Sequence, residues 1–446
     1  MLDILFLALF LLTPLIMFFL LKIAGEQLNH ISMVNLVTIA LFAFSVLGTF
    51  PLFYQLDAYR VATGVTDPEL VLTVTFLSCA NIIIFLLGVI FVRKVLLLTP
   101  VPIVSLQIKK LNQLRFISML IVLLLVALVL YVYLGKINQV AILVAFKEGA
   151  KAAAVARSKM GNDFSGKYHW YSLVLHNIGT LVTLTFYVSW LLRKKLLNLG
   201  LFLIAFSIST FVAVMATEKG PFVGLLMALF MAHYITRHNG YVPKKDIVLL
   251  GVFVVSILVV FYIYFMGSGS AGQALWSVFS RAFAGSISPA YFYLEYFPQH
   301  QEFLMGRTFP NPGGIMPFEP VRYTVEIMDW KFPNLAEQGT VGSMPTVFWG
   351  EAYANFGYIG IPIVAFIMGM LVAILSYFVS KLELNPLTIA FTVWLIFHLK
   401  NLSVTGFSGF LYDFYMIFVS VVIVLVLFSS AKIGIRNNRK TKCAVT

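Results

Sequence analysis

Charge is scarce in this sequence, and acidic charge most of all. Of its 446 residues only 11% are Asp, Glu, Lys or Arg, and 18 acidic residues face 31 basic ones. With 60% hydrophobic residues and a mean hydropathy of +0.94, the chain has too few polar side chains to cover a water-facing surface, which excludes a soluble globular protein. Cysteine is nearly missing. Cys79 lies in an apolar run and Cys443 in the basic tail, so there is no disulfide framework, CxxC redox motif or Cys/His zinc spacing. Nucleotide signatures are lacking as well: there is no GxxxxGK[ST], no GxGxxG follows a strand, and no cytoplasmic segment is large enough for a nucleotide domain. This disfavours an ATP-driven pump and a transferase fed by cytoplasmic sugar nucleotides. Two matching halves with interrupted helices, the pattern of many secondary transporters, are not visible either. No metal and no cofactor is expected.

What the sequence does have is long apolar runs, spaced so evenly that residues 1–446 read as a single membrane domain. A membrane span needs about 20 mostly apolar residues. The runs at 2–22, 31–54, 69–92, 115–134, 170–192, 196–216, 221–236, 247–266, 355–380, 386–400 and 411–431 predict an all-α, polytopic bundle of about eleven transmembrane helices. The seventh and tenth are short, as expected of tilted, broken or re-entrant elements. The first run, Ile4 to Leu21, has no basic stretch ahead of it and no small-residue cleavage site after it. It is read as a retained helix and not as a signal peptide. Arg93, Lys94, Lys109, Lys110, Arg115, Arg193, Lys194, Lys195, Arg237, Lys244, Lys245 and the tail from Lys432 to Lys442 all fall on one side. By the positive-inside rule that side is cytoplasmic. The N-terminus is then outside, the C-terminus inside, and both long loops, 135–169 and 267–354, extracytoplasmic. Much of the net charge of +13 is therefore a topology signal, and nucleic acid is not expected as a partner.

Basic residues on the translocated side have no such explanation. Loop 135–169 carries Lys136, Lys147, Lys151, Arg157, Lys159 and Lys167 against Glu148 and Asp163, and its stretch from Gln139 to Met160 predicts an amphipathic interfacial helix. Two readings fit: attraction to anionic membrane lipids, or binding of a specific phosphate. Loop 267–354 holds eight of the 17 prolines together with Arg281, Arg307 and Arg322 and the rings of Trp276, Tyr291, Tyr293, Tyr296, Trp330 and Trp349. Guanidinium forks grip phosphate and flat rings stack on sugars. The structural alternatives are an aromatic belt at the membrane surface and arginines paired with Glu295, Glu302, Glu319, Glu326, Asp329 or Glu337. The hairpin tip Thr217 to Pro221 presents Glu218 and Lys219, either as a phosphate and proton site or as a rim ion pair. Near the end, Lys400 and Asp413 are expected as a structural pair at membrane depth.

The stretch from Gly339 to Leu371 contains Gly350, Glu351, Ala352, Tyr353, Asn355, Phe356, Gly357 and Gly360. It resembles the GE-(A/G)-(Y/F)-x-N-F-G-x-x-G pattern that follows the large outer loop of Wzy-type oligosaccharide repeat unit polymerases, the enzymes of O-antigen, common-antigen and capsule assembly. The resemblance implies a nucleotide-independent glycosyltransferase of the bacterial inner membrane. Such an enzyme moves a growing glycan from undecaprenyl pyrophosphate to an incoming lipid-linked repeat unit, at times beside a chain-length regulator. It implies Glu351 as first choice for general base and Glu218 as second, with Arg281 at the leaving diphosphate. Arg307, Arg322, Lys219, Arg157, Tyr353 and Asn355 would bind substrate. Relatives often carry an arginine where this chain has Lys219, and a lysine does not grip phosphate bidentately. Glu351 also has a structural alternative, capping a helix start. A flippase or permease, and an O-antigen ligase, are the competing functions.

Overall fold

A computed structural model describes residues 1–101, 107–162, 164, 167–266, 270–337 and 342–429. Among these residues the chain is all-helical, with ten helices long and apolar enough to cross a membrane. They are Leu2–Ile23, Met33–Phe53, Pro68–Val95, Gln113–Leu134, Tyr168–Leu192, Leu196–Val214, Lys219–His238, Lys244–Tyr264, Phe348–Ser380 and Ser408–Phe428. The chain is thus a multi-pass helical membrane protein. The basic tail from 430 onward lies outside the described residues.

The run at 386–400 becomes a helix of only 14 residues, Pro386–Leu399, started by an Asn385 capping box and ended by a 3-10 turn at Lys400–Ser403. Eleven of its residues are buried. Backbone that leaves a helix at membrane depth is tolerated when protein surrounds it, as happens here. It runs from the neighbourhood of Glu383, which binds Arg115 at 2.8 Å and Lys109 at 3.0 Å, towards Ser408, which meets Glu351.

Two faces follow from such contacts. On the basic face, Arg93 forms a buried ion pair with Glu26 at 2.5 Å, and strand-like bonds join Ile31 to Gly240 and Val242 to Asn29. On the loop face, the first long loop meets the hairpin tip through Arg157 and Glu218, and Arg281 of the second acts on Lys219 of the same tip. The central seam is close-packed: a Cβ on Gly88 would lie 2.2 Å from the Phe366 carbonyl oxygen, and one on Gly369 only 1.9 Å from that of Phe85. Small residues let Pro68–Val95 and Phe348–Ser380 approach backbone to backbone, which is how membrane helices associate without a hydrophobic drive between them.

Both long loops contain helices packed on the bundle. The expected helix from Gln139 to Met160 is split into Ala141–Glu148 and Ala150–Asn162 at Gly149, whose φ of +87° suits glycine. Its first half is clamped to the bundle, Ile142 N–H donating to the Met215 carbonyl at 3.0 Å. In the second loop, Gly285–Tyr296 is a helix buried almost throughout. Tyr291, Tyr293 and Trp349 are core residues, with Tyr293 donating to the Met344 carbonyl and Trp349 to Ser78. Neither the sugar-stacking nor the surface-belt expectation fits these three. Both expectations rested on loop position, whereas the uncharged run 282–294 buries itself.

Candidate functional site

The motif from Gly350 to Gly360 opens the helix Phe348–Ser380, but not as one rod. Gly357, at φ +63° and ψ −157°, breaks it, so residues 348–356, buried up to Asn355, form a separate segment ahead of the membrane-spanning part. This explains why hydropathy alone starts the span near 355. Within the segment, Asn355 accepts from Gly306 N–H at 2.9 Å and donates to Thr308 Oγ1 at 2.8 Å. Tyr353 donates to the Phe297 carbonyl at 3.0 Å, and Leu304 and Met305 donate to the carbonyls of Ala354 and Asn355. Tyr353 and Asn355 are 3% and 0% exposed, and these polar contacts all go to residues 297–308. They stitch that loop to the bundle.

Glu351 lies one turn away and is 1% exposed. Its Oε2 accepts from Ser408 N–H at 2.9 Å, while Oε1 is buried without a hydrogen-bond partner among the described residues. The carboxylate fits because position 406 is glycine: a Cβ there would stand 2.2 Å from Oε2 and 2.5 Å from the Tyr323 hydroxyl. The helix-capping alternative thus takes an unexpected form, since the N–H that Glu351 satisfies opens a different helix, Ser408–Phe428. Tyr323 stacks edge-on with Tyr293 at 5.9 Å, and burial holds its phenol well above the ordinary range, with Glu351 pushing the same way.

Cations gather a little further along the loop face. Arg157, from the first long loop, pairs with Glu218 at 2.9 Å, both half exposed. Glu218 is therefore held by Arg157 and not by its neighbour Lys219. Lys219 lies 3.4 Å above the Tyr262 ring and feels the like charges of Arg281 and Arg157. Arg281, exposed, is within hydrogen-bonding reach of Tyr262. Arg60, a residue the sequence reading passed over, comes near Arg281 from the loop between the second and third spans. Its helix is capped by Asp57, whose other carboxylate oxygen accepts from Ser280, one residue before Arg281. Burial lowers the pKa of the Arg60 guanidinium, Asp57 opposes and Arg281 adds to the lowering; its Nε is buried without a hydrogen-bond partner among the described residues. The signal for Arg60 was available as an Asp-x-x-Arg cap in a short loop.

Arg307 and Arg322 sit apart from that cluster and beside each other, joined by the Val321 N–H to the Arg307 carbonyl at 2.7 Å, and both are exposed. Neither they nor Arg281 form an ion pair among the described residues. Glu295 pairs instead with Lys331, at 3.8 Å. Nearby, half-buried Tyr296 and Trp330 and exposed His300 form a ring cluster with centroids 5.0 to 5.8 Å apart.

The expected pair of Lys400 and Asp413 does not form. Asp413 is taken by His398 and by Met416 N–H at 2.8 Å, capping the last helix. Lys400 instead lines a cavity of about 460 Å³ beneath the hairpin tip, which Glu218 also lines. Among the described residues no group of three or more His, Cys, Asp or Glu side chains is placed to hold a metal ion. No family model, curated protein or solved structure matches the chain.

Proposed function

We propose that this chain is a glycan polymerase of the bacterial inner membrane, with the loop face outside. It would transfer a growing oligosaccharide from undecaprenyl pyrophosphate to the non-reducing end of an incoming lipid-linked repeat unit. The observation that carries this reading is a run of mutually repelling cations along the loop face, drawn from four separate segments: Arg281 acts on both Arg60 and Lys219, and Arg157, paired with Glu218, acts on Lys219 as well. The motif around Glu351 supports it from the side of resemblance.

In this reaction the anomeric C–O bond to the diphosphate breaks, a new C–O bond forms to the acceptor hydroxyl, and that hydroxyl gives up its proton. Negative charge grows on the leaving diphosphate, and fixed cations lower that barrier. Arg281, exposed and without an ion-pair partner among the described residues, takes the diphosphate, with Lys219, which feels both Arg281 and Arg157, acting as a point charge. Arg307 and Arg322 hold further anionic or hydroxyl groups of the glycan, and the Tyr296, His300 and Trp330 rings offer it flat faces. For the proton, the geometry favours Glu218, which lines the cavity and is half exposed, as the base. Glu351, enclosed and bound to Ser408, is a positioning residue that ties the last helix to the loop. Membrane lipids and a chain-length regulator would be the partners.

A deletion strain tests the reading. Surface glycan should collapse to single repeat units on their acceptor while repeat-unit synthesis and export continue. Unchanged chain lengths would sink it. Lipid-linked units trapped on the inner face would point to a flippase, and free polymer never joined to its acceptor to a ligase.

A further inference from the structure

We infer that the cavity beneath the hairpin tip is a second anion site, built for the diphosphate headgroup of a prenyl lipid, with Lys400 as its cation. Lys400 leaves the short helix Pro386–Leu399 at membrane depth and is only partly exposed, where an uncompensated ammonium is costly and marks a substrate path more often than a scaffold. Every nearby acid is committed elsewhere. Asp413 is held by His398 and Met416, and Glu218 by Arg157. Lys400 has no ion-pair partner among the described residues, and the Phe44 ring at 5.9 Å is a weak substitute.

The surroundings suit an anion with oxygen acceptors. His176, Asn177 and Asn401 line the same cavity as Lys400. Gly220 and Gly224, one helical turn apart, line it too with open space where a Cβ would stand, and the one carboxylate in the lining, Glu218, is already neutralised by Arg157. Its volume of about 460 Å³ lies within the usual range of small-molecule sites, about 300 to 1,000 Å³. With Trp394 and Phe397 in the wall, an apolar tail has somewhere to pass. The inference rests on the polymerase reading for its choice of ligand. That reaction brings two lipid diphosphates together, one leaving and one retained on the acceptor, and the rim cluster at Arg281 provides for only one.

The test is direct binding to the purified full chain in detergent, read by thermal shift and titration with farnesyl diphosphate and inorganic pyrophosphate. An Arg281→Ala background removes the rim's unpaired guanidinium and so weakens competing binding there. Farnesyl diphosphate should still bind in that background, at least tenfold tighter than pyrophosphate. Lys400→Met should weaken it at least tenfold, and Lys400→Arg should restore it. Equal affinity for the two probes would overturn the lipid assignment and leave a free-phosphate site. Binding that ignores Lys400→Met would overturn the site itself. Because Lys400→Met risks the fold, two further readouts are used. Gly224→Leu fills open space and should block binding at unchanged thermal stability. In the wild-type chain, a photoactivatable prenyl diphosphate should label the segment from Trp394 to Asn401, and label confined to the Arg281 segment would refute the proposal. All of these are read on purified protein, so the site stands or falls separately from the chain-length result in cells.

Discussion

Ser408 donates its backbone N–H to Glu351, and a glutamine at position 351 keeps an acceptor in the same place. Glu351→Gln is therefore expected to retain both membrane levels and long glycan chains. Glu351→Ala strands a buried donor beside Gly406, costing about 1 to 3 kcal/mol, seen as a lowered Tm in detergent. Glu218→Gln should do the reverse, keeping Tm and losing long chains on a glycan ladder gel. Should Glu351→Gln lose long chains at normal membrane levels, the assignment of the base reverts to Glu351. Arg281→Ala and Arg307→Ala remove cations with no ion-pair partner among the described residues, and each is expected to slow polymerisation about 100-fold without loss of protein. Long chains from both variants would refute the leaving-group assignment. At this scale the sequence exposes residue types and not neighbours. Arg281, Lys219 and Arg157 stand out as bases on the translocated side, but their meeting point depends on folding three loops together. The Asp57-x-x-Arg60 cap is visible in the sequence, but its place beside Arg281 shows only once Asp57 is seen bound to Ser280. Tyr353 and Asn355 look like ligand-binding side chains because their partners, the carbonyl of Phe297 and the backbone at Gly306, are remote in the chain.

Between Pro68–Val95 and Phe348–Ser380 the backbones touch at Gly88 and Gly369, so any side chain at position 369 must displace the Phe85 carbonyl. Gly369→Leu is expected to cost at least 1 to 3 kcal/mol, roughly the cost of overpacking a core, with most of the protein lost from the membrane. Gly251→Leu, with no neighbour within 4 Å of its Cβ, should be tolerated; immunoblots of membrane fractions compare the two. Similar loss from both would show that the seam is not tight. Elements were legible in proportion to their length. Ten apolar runs match ten long helices to within a few residues, except where polar or glycine-containing segments extend them, as at Phe348 and Lys219. Gly285–Tyr296 was hidden because 12 residues rich in Tyr, Ser and one proline carry no span signal. The break at Gly149 was hidden because helical spacing continues on both sides of it.

For the whole molecule, the bundle was evident from hydropathy, whereas the joining of its loops into one surface was not, since contacts such as Arg157 to Glu218 link residues 61 apart. Orientation is open to a direct check. A cysteine at Lys159 should react with a membrane-impermeant maleimide in intact cells, and one at Lys245 only after permeabilisation. The reverse pattern would place the cation cluster on the cytoplasmic side and remove the polymerase reading. One last consequence concerns bilayer thickness. Pro386–Leu399 rises only about 21 Å at 1.5 Å per residue, well short of a hydrocarbon core of about 30 Å. With eleven of its 14 residues buried in protein, lipid has little of this helix to grip, so mismatch falls on the longer helices around it, which adjust by tilting. The depth of Lys400 is thereby fixed by the neighbouring helices, and membranes of different thickness leave it unchanged relative to Glu218.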